Sequence, residues 1–218
     1  MLELKANEKN EITKEEFLGS LIPVMISGDN FGLLPKDTPH IDYDEDIKII
    51  FRMKVRSEEF GIGTGVISKE LMQKMGTSLI ELFERSTKNV EDTFAITEMG
   101  DMLAMLGDQP FYDEGEEKVG ILYVITNRDH MYGASAVLFP SVMRAIEKTV
   151  GGDFYLIQSS VHECLALKAG QMDPRRLMQI IRQVNRQVVA PWEVLTDALC
   201  IWHSKTGSLE VVDEKVFA

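Results

Sequence analysis

The residue types best suited to chemistry lie in one short run, Ser159, Ser160, His162 and Glu163. Serine beside histidine can act as a nucleophile and its general base, which is the pairing that a hydrolase or transferase uses. Side chains two positions apart on a straight strand are separated by about 6.6 Å, whereas a working nucleophile and base need about 2.6–3.2 Å. Neither Ser160 nor Cys164 can therefore serve His162 within one strand. We interpret the serines as turn residues and the histidine as a strand residue.

The same run does not complete a metal site. His162 and Glu163 would open an H-E-x-x-H zinc motif, but position 166, where the second histidine belongs, is Ala. The acidic run at residues 42–46 resembles the start of a calcium loop, yet its sixth position is Ile47 instead of glycine. We therefore expect no metal in this protein.

A dinucleotide-binding loop is also incomplete. Gly61, Gly63 and Gly65 follow G-x-G-x-G spacing between a predicted strand and a predicted helix. The dinucleotide motif needs its third glycine one position later and a parallel βαβ unit around it. A glycine-rich strand entry is the better interpretation, and we expect no cofactor.

The one concentrated basic surface lies on a helix that begins at Asp173-Pro174, an N-cap followed by a first-turn proline. Arg175, Arg182 and Arg186 share one face of this helix, which we interpret as solvated or as a binding surface. The opposite face is predicted to pack inward and consists of Leu177, Ile180, Ile181, Val184 and Val188.

The elements that must position these side chains alternate between strands and helices. Residues 121–126 predict a buried strand, residues 128–132 a hairpin loop, and Gly133 a tight entry into the next strand. The later elements are a helix from Pro140 to Gly151, strands at 154–158 and 161–167, the Asp173 helix, and a terminal hairpin at 199–212. This ββα ββα ββ order predicts an α+β fold whose antiparallel or mixed sheet carries its helices on one side.

The first half is predicted to contain two segments, residues 1–46 and residues 47–118. Thr13 and Glu16 have capping-box spacing, so a helix should begin there and carry Phe17, Leu18, Leu21 and Ile22. In the second segment we expect strands at 47–55 and 60–67, helices at 69–75 and from Thr77 or Ser78, a helix at 97–106, and an acidic loop at 108–117. Residues 119–218 form the α+β core, in one compact unit with 47–118.

Composition and charge restrict the class of function. The chain has 218 residues, of which 44% are hydrophobic and 27% charged, which fits an ordinary globular protein. Residues 1–118 carry 13 Lys or Arg against 25 Asp or Glu, whereas residues 119–218 carry 10 of each. So acidic a surface repels phosphate backbones and disfavours direct nucleic-acid binding. Two cysteines, a charged N-terminus and no long apolar run favour a cytoplasmic protein with no membrane association.

A family resemblance lies in the second half of the chain. Its residues are Tyr123, Thr126, Asn127, Tyr132, Gly133, Ala134, Pro140, Gly152, Asp153, Ser159, Ser160, His162 and Glu163. With them the chain resembles a bacterial domain family of unknown function over about residues 60–204, and we expect the N-terminal region to diverge from it. The resemblance implies an architecture and no activity.

Two classes of function follow from the sequence. The first is a non-enzymatic protein that binds another protein or itself, including an acidic inhibitor that mimics nucleic acid in the manner of antirestriction or anti-CRISPR proteins. The second is a hydrolase or transferase built around Ser159, Ser160, His162 and Glu163, joined by Asn127 and Tyr132. The second class requires that the loop at 128–132 and the turn at Ser159 meet at one end of the sheet.

Overall fold

The fold is given by a computed structural model that describes residues 2–3, 12–57, 61–101 and 121–213. The chain divides into two compact units, Met1–Thr93 and Phe94–Ala218. This division falls inside the segment 47–118 that the sequence analysis grouped with the C-terminal core.

The first unit is built around a five-stranded sheet. Its elements are β1 (Leu2–Glu3), α1 (Lys14–Gly19), β2 (Leu21–Ser27), α2 (Gly28–Phe31), β3 (His40–Asp42), β4 (Ile47–Ser57), β5 (Gly61–Val66), α3 (Lys69–Lys74), α4 (Leu79–Val90) and a 3-10 turn (Glu91–Thr93).

Strand β4 is the centre of this sheet, because all four other strands pair with it. Residues 47–53 of β4 pair with β2, while residues 48–50 pair with β3 and residues 52–57 with β5. A strand residue has one neighbour on each side, so β3 and β5 lie on the side of β4 opposite to β2. Pro23 is tolerated in β2 because an edge strand needs only half of its backbone donors.

Helix α1 starts where the sequence predicts and ends earlier. The Thr13 hydroxyl accepts a hydrogen bond from the Glu16 N–H, and the Glu16 carboxylate accepts one from the Thr13 N–H, so the capping box is confirmed. At the other end Ser20 bonds back to the Phe17 carbonyl through both its N–H and its hydroxyl, which closes the last turn. The prediction that Leu21 and Ile22 belong to this helix is wrong, because a β-branched run around Pro23 favours the strand β2.

The second unit contains a six-stranded sheet in the order β11-β10-β8-β9-β7-β6, with every pair antiparallel. The elements are β6 (Phe94–Glu98), β7 (Leu122–Asn127), a 3-10 helix (Gly133–Leu138), α5 (Pro140–Val150), β8 (Phe154–Ile157), β9 (Cys164–Lys168), α6 (Pro174–Gln187), β10 (Leu199–His203) and β11 (Ser208–Val211). The predicted α+β class is confirmed. The unit has a ββα ββα ββ order, but its first strand pair is β6-β7 and not the strand at 121–126 with one after Gly133.

The first strand pair in this order is not the predicted one. Residues 94–98 form β6, so a helix at 97–106 is wrong for its first two residues, while residues 102–106 and the acidic loop at 108–117 lie outside the described residues. After the loop at 128–132 the chain enters a 3-10 helix instead of a strand. Its small residues Ala134 and Ala136 are fully buried, which brings the backbone close to its neighbours.

Helices α5 and α6 pack on opposite faces of this sheet, which corrects the prediction that they share one side. The Trp202 indole N–H on β10 donates to the Glu147 carboxylate on α5, at 2.8 Å, and the Trp202 ring stacks on Phe154. Adjacent strand residues point to opposite faces. The other face holds the cluster with α6, which contains Tyr155, Ile157, Leu167, Leu177, Met178, Ile181 and Leu199.

Within the described part of the chain, none of the helices has the length and apolar character that a membrane crossing requires.

Candidate functional site

The loop at residues 128–132 and the turn at Ser159 do meet, and His162 lies between them. The backbone N–H of Tyr132 donates to His162 Nδ1 at 3.2 Å, and the N–H of Gly133 donates to the His162 carbonyl at 2.8 Å. The Tyr132 and His162 rings lie 5.3 Å apart at a tilt of 32°. The polar residues of the loop and of the run from Ser159 to Glu163 therefore share one site, as the enzymatic hypothesis required.

A third segment completes this site. The Glu193 carboxylate lies 3.5 Å from His162 Nε2, and its backbone carbonyl accepts a hydrogen bond from the Val161 N–H at 2.9 Å. Glu193 belongs to the stretch that connects α6 to β10, 31 positions along the chain from His162. The sequence analysis missed Glu193, because no spacing rule links residues that an intervening helix separates.

The hydrogen bonds set the tautomer of His162. A backbone N–H can only donate, so Nδ1 must be unprotonated to accept from Tyr132. In the neutral ring the proton then sits on Nε2, which faces the Glu193 carboxylate. Both ring nitrogens are thus engaged, and His162 cannot take a proton from a nucleophile without losing one of these contacts.

The serines have structural contacts in this site. Ser160 is 9% exposed, and its hydroxyl accepts a hydrogen bond from the backbone N–H of His162 at 3.1 Å. The carbonyl of Ser159 accepts from the Leu195 N–H at 3.0 Å, and Ser160 forms an isolated β-bridge with Val194. Glu163 is half-buried and adjoins Cys164, the first residue of β9. The turn at residues 159–163 is therefore hydrogen-bonded both to residues 132–133 and to residues 193–195.

The loop itself is held by Asn127. The Asn127 amide donates to the Met131 carbonyl at 2.7 Å, and its oxygen accepts from the N–H groups of Asp129 and Met131. His130 and Tyr132 both have positive φ, at 52° and 58°. Two left-handed residues in a non-glycine loop are uncommon, and the three Asn127 hydrogen bonds compensate for their strain.

The segment at residues 189–198, which we call the bridging segment, presents an exposed tryptophan. Trp192 is 70% exposed, whereas Leu195 three positions later is 2% exposed. The segment is fixed on one side by the hydrogen bonds to Ser159 and Val161. On the other side the Asn185 amide of α6 donates to the Thr196 carbonyl at 3.0 Å and to Asp197 Oδ1 at 2.7 Å. Trp192 is thus an exposed aromatic side chain on a fixed backbone.

The arginines of α6 lie outside the contacts of His162 described above. Arg175 and Arg186 are exposed and Arg182 is half-buried. Arg175 is paired with Asp173, the residue that caps the helix. On the inward face Leu177 and Ile181 are buried as predicted, and Met178 and Asn185 are buried with them.

The predicted inward position of Val188 is wrong. Its side chain is 76% exposed, although the periodicity of the stripe continues to it from Ile181. Val188 is the C-cap of α6, and its N–H still bonds to the Val184 carbonyl, so its exposure shows that the packed part of this helix face ends before residue 188.

Thiol and metal chemistry find no support among the described residues. Cys164 and Cys200 are both buried, and burial raises the pKa of the Cys164 thiol strongly, so the nucleophilic thiolate is suppressed. In the ranges that the structure describes, no three His, Cys, Asp or Glu side chains are grouped so that they could hold a metal ion.

Comparison with known protein families identifies the family of this chain. A family model matches residues 10–204, nearly the whole sequence, and its description is a family of unknown function, DUF5688. The chain belongs to this family. The match begins at residue 10 and not near residue 60, so it includes most of the N-terminal region where we expected divergence. No curated protein and no solved structure matches this DUF5688 chain significantly.

Proposed function

We propose that this protein is a non-enzymatic, cytoplasmic bacterial protein that binds another macromolecule through the surface around Trp192. The observation that carries the proposal is the 70% exposure of Trp192 on the bridging segment, whose backbone is anchored to both the Ser159 turn and α6. Tryptophan is enriched among the residues that contribute most to protein interfaces. An aromatic side chain on a backbone that is already ordered loses little entropy when a partner covers it.

The contacts of His162 support a binding role over a catalytic one. Its ring accepts from the Tyr132 backbone and faces the Glu193 carboxylate, and the Ser160 hydroxyl accepts from the His162 N–H. A Ser-His pair requires instead that the serine hydroxyl donates to the histidine ring. We interpret His162 as the residue that fastens the bridging segment to the sheet and so holds Trp192 in place.

The test combines capture of partners with an activity screen. Wild-type protein, Trp192→Ala and Leu33→Ala are used as baits in a bacterial lysate, with captured proteins identified by mass spectrometry. Leu33 is 81% exposed in the other unit, so its variant controls for the loss of an exposed apolar side chain. We expect a partner that wild type and Leu33→Ala retain and Trp192→Ala loses.

The competing hydrolase hypothesis is tested on the same proteins with a broad panel of ester, amide and phosphate substrates. We expect no turnover by wild type. An activity that disappears in Ser160→Ala while that variant keeps its fold would contradict the proposal and establish the Ser159–Glu163 run as an active site. Retention of every partner by Trp192→Ala would contradict the role of Trp192.

A further inference from the structure

The exposed end of α6 combines apolar and cationic side chains in an otherwise acidic protein. Residues 174–192 contain four arginines and no Asp, Glu or Lys, in a chain whose formal net charge is −12. Val188 is 76% exposed and Trp192 is 70% exposed. Arg182 and Arg186 are four positions apart, so they lie on the same face of the helix. We call Arg182, Arg186, Val188 and Trp192 the α6-end surface.

Its charge determines which partner it fits. A stretch of chain that carries cationic and exposed apolar side chains and no carboxylate attracts a partner that is acidic and carries an apolar or aromatic group. The acid excess of this same chain lies entirely in residues 1–118, while residues 119–218 are balanced. A second copy of the chain therefore supplies the complementary charge at the same concentration as the surface itself.

The structure contains a segment with the required chemistry. Residues 42–46, the last residue of β3 and the turn that leads to β4, hold four carboxylates in five residues, and all five are exposed. Asp42 already pairs with Lys48 at 2.9 Å, which leaves the carboxylates of Asp44, Glu45 and Asp46 in the turn itself. Tyr43 provides an aromatic ring among them. The turn is already ordered, because Asp44 Oδ1 accepts hydrogen bonds from the N–H groups of Asp46 and Ile47 at 2.8 and 2.7 Å. We call residues 42–46 the acidic turn.

We propose that the protein self-associates by contact of the acidic turn of one copy with the α6-end surface of another. The proposal rests on the binding role proposed above and names its partner. Because the two surfaces differ, the contact pairs unlike patches, and each copy offers one of each. Charge complementarity of this kind is sensitive to salt, since the Debye length shortens from about 10 Å at 0.1 M to about 3 Å at 1 M.

The experiment is sedimentation equilibrium on the full chain at about 0.1 M and about 1 M salt. We expect wild type to exceed the monomer mass at low salt and to approach it at high salt. Arg186→Glu and Glu45→Lys should each raise the dissociation constant by about tenfold or more. Lys148→Glu is the matched control, because it makes the same charge reversal on α5, on the other face of the sheet. It should leave the dissociation constant unchanged.

Mixing gives the decisive measurement. An equimolar mixture of Arg186→Glu and Glu45→Lys should recover association, because the new carboxylate of one variant then faces the new ammonium of the other. Trp192→Ala should weaken association and retain its salt dependence, since the lost contact is apolar. Circular dichroism verifies that each variant is folded.

Several results would overturn this inference. They are a wild-type monomer at low salt, an oligomer indifferent to salt, equal damage by Lys148→Glu, or a mixture that fails to recover. A monomeric wild type that still captures a different protein through Trp192 would overturn self-association and leave the proposed binding function in place. A monomer from which Trp192→Ala loses no partner would overturn both.

Discussion

The Nδ1 atom of His162 accepts a hydrogen bond from the backbone N–H of Tyr132, at 3.2 Å. This contact joins the turn between β8 and β9 to a loop whose backbone is left-handed at Tyr132, with φ at 58°. The imidazole of His162 thereby accepts a backbone hydrogen bond, and the run from Ser159 to Glu163 is bonded both to this loop and to the bridging segment.

Gly133 should not tolerate a side chain. A Cβ at this position would lie 2.5 Å from the His162 carbonyl oxygen and 2.5 Å from Thr126 Oγ1. We expect Gly133→Ala to lower the free energy of unfolding by about 1–3 kcal/mol, and Gly133→Val by at least as much. Gly63→Ala is the control, because a Cβ there meets nothing within 4 Å. Urea unfolding measures the stability of both variants. A Gly133→Ala variant as stable as wild type would show that the backbone around residue 133 can move to accommodate the added methyl group.

Asn127 should be needed for the order of the loop. Its amide makes three hydrogen bonds to the backbone of residues 129 and 131. Asn127→Ala should cost about 1–3 kcal/mol of stability, since partly buried backbone groups lose their partners. Hydrogen exchange should accelerate at the amides of Asp129 and Met131, and Asn127→Asp, which keeps the acceptor, should slow that exchange relative to Asn127→Ala. If hydrogen exchange at these two amides is unchanged in Asn127→Ala, the hydrogen bonds of Asn127 do not maintain the order of the loop.

Ile181 should anchor α6 to the sheet. It is 3% exposed within the cluster of Tyr155 and Leu199. Ile181→Ala should destabilise the protein by about 2–5 kcal/mol, as expected for a buried aliphatic truncation. Val188→Ala on the same helix should be close to neutral, because Val188 is 76% exposed. Chemical denaturation measures the stability of the two variants. Equal destabilisation would contradict the finding that the buried stripe of α6 does not include Val188.

Acid should weaken the attachment of α5 to the sheet. A hydrogen bond from the Trp202 indole, followed by one from Arg144, holds the pKa of Glu147 below its ordinary value of 4.5. A carboxyl whose folded pKa is depressed contributes stability that is present above its unfolded pKa and is lost as pH falls through the folded pKa. Glu147→Gln, which does not titrate, should lose stability less steeply below pH 4.5.

Two measurements check this acid effect. Urea midpoints across the acid range give the dependence of stability on pH. Trp202→Phe removes the indole N–H that donates to Glu147, so it should make this dependence less steep, as Glu147→Gln does. A wild-type slope in Glu147→Gln would mean that other carboxyls account for the acid sensitivity.

Local signals in the sequence predicted local structure well. Asp173-Pro174 starts α6, Gly151 ends α5 with φ at 82°, and the capping box of Thr13 and Glu16 starts α1. These signals succeed because a cap or a left-handed glycine acts on the backbone within a few residues.

Long-range contacts could not be predicted in this way. Residues 94–98 pair with β7 across residues 99–121, and nothing in their own pattern favours that partner. Gly133 was expected to allow a tight entry into a strand, whereas the structure requires glycine there for the close approach of His162 and Thr126. Glu193 reaches His162 only because α6 returns the chain to the sheet end. Contacts between segments that are distant in the sequence are not indicated by the spacing of residues within either segment.

The order β11-β10-β8-β9-β7-β6 has a consequence for how the sheet comes apart. Residues 158–163 separate β8 from β9 and residues 204–207 separate β10 from β11, whereas residues 99–121 separate β6 from β7. Pairing strands that are farther apart along the chain costs more chain entropy, and among the described residues β6 pairs with β7 alone. We expect β6 to detach first in partial unfolding. Detachment would leave β7 as an open apolar edge, the form from which strand-to-strand aggregation starts.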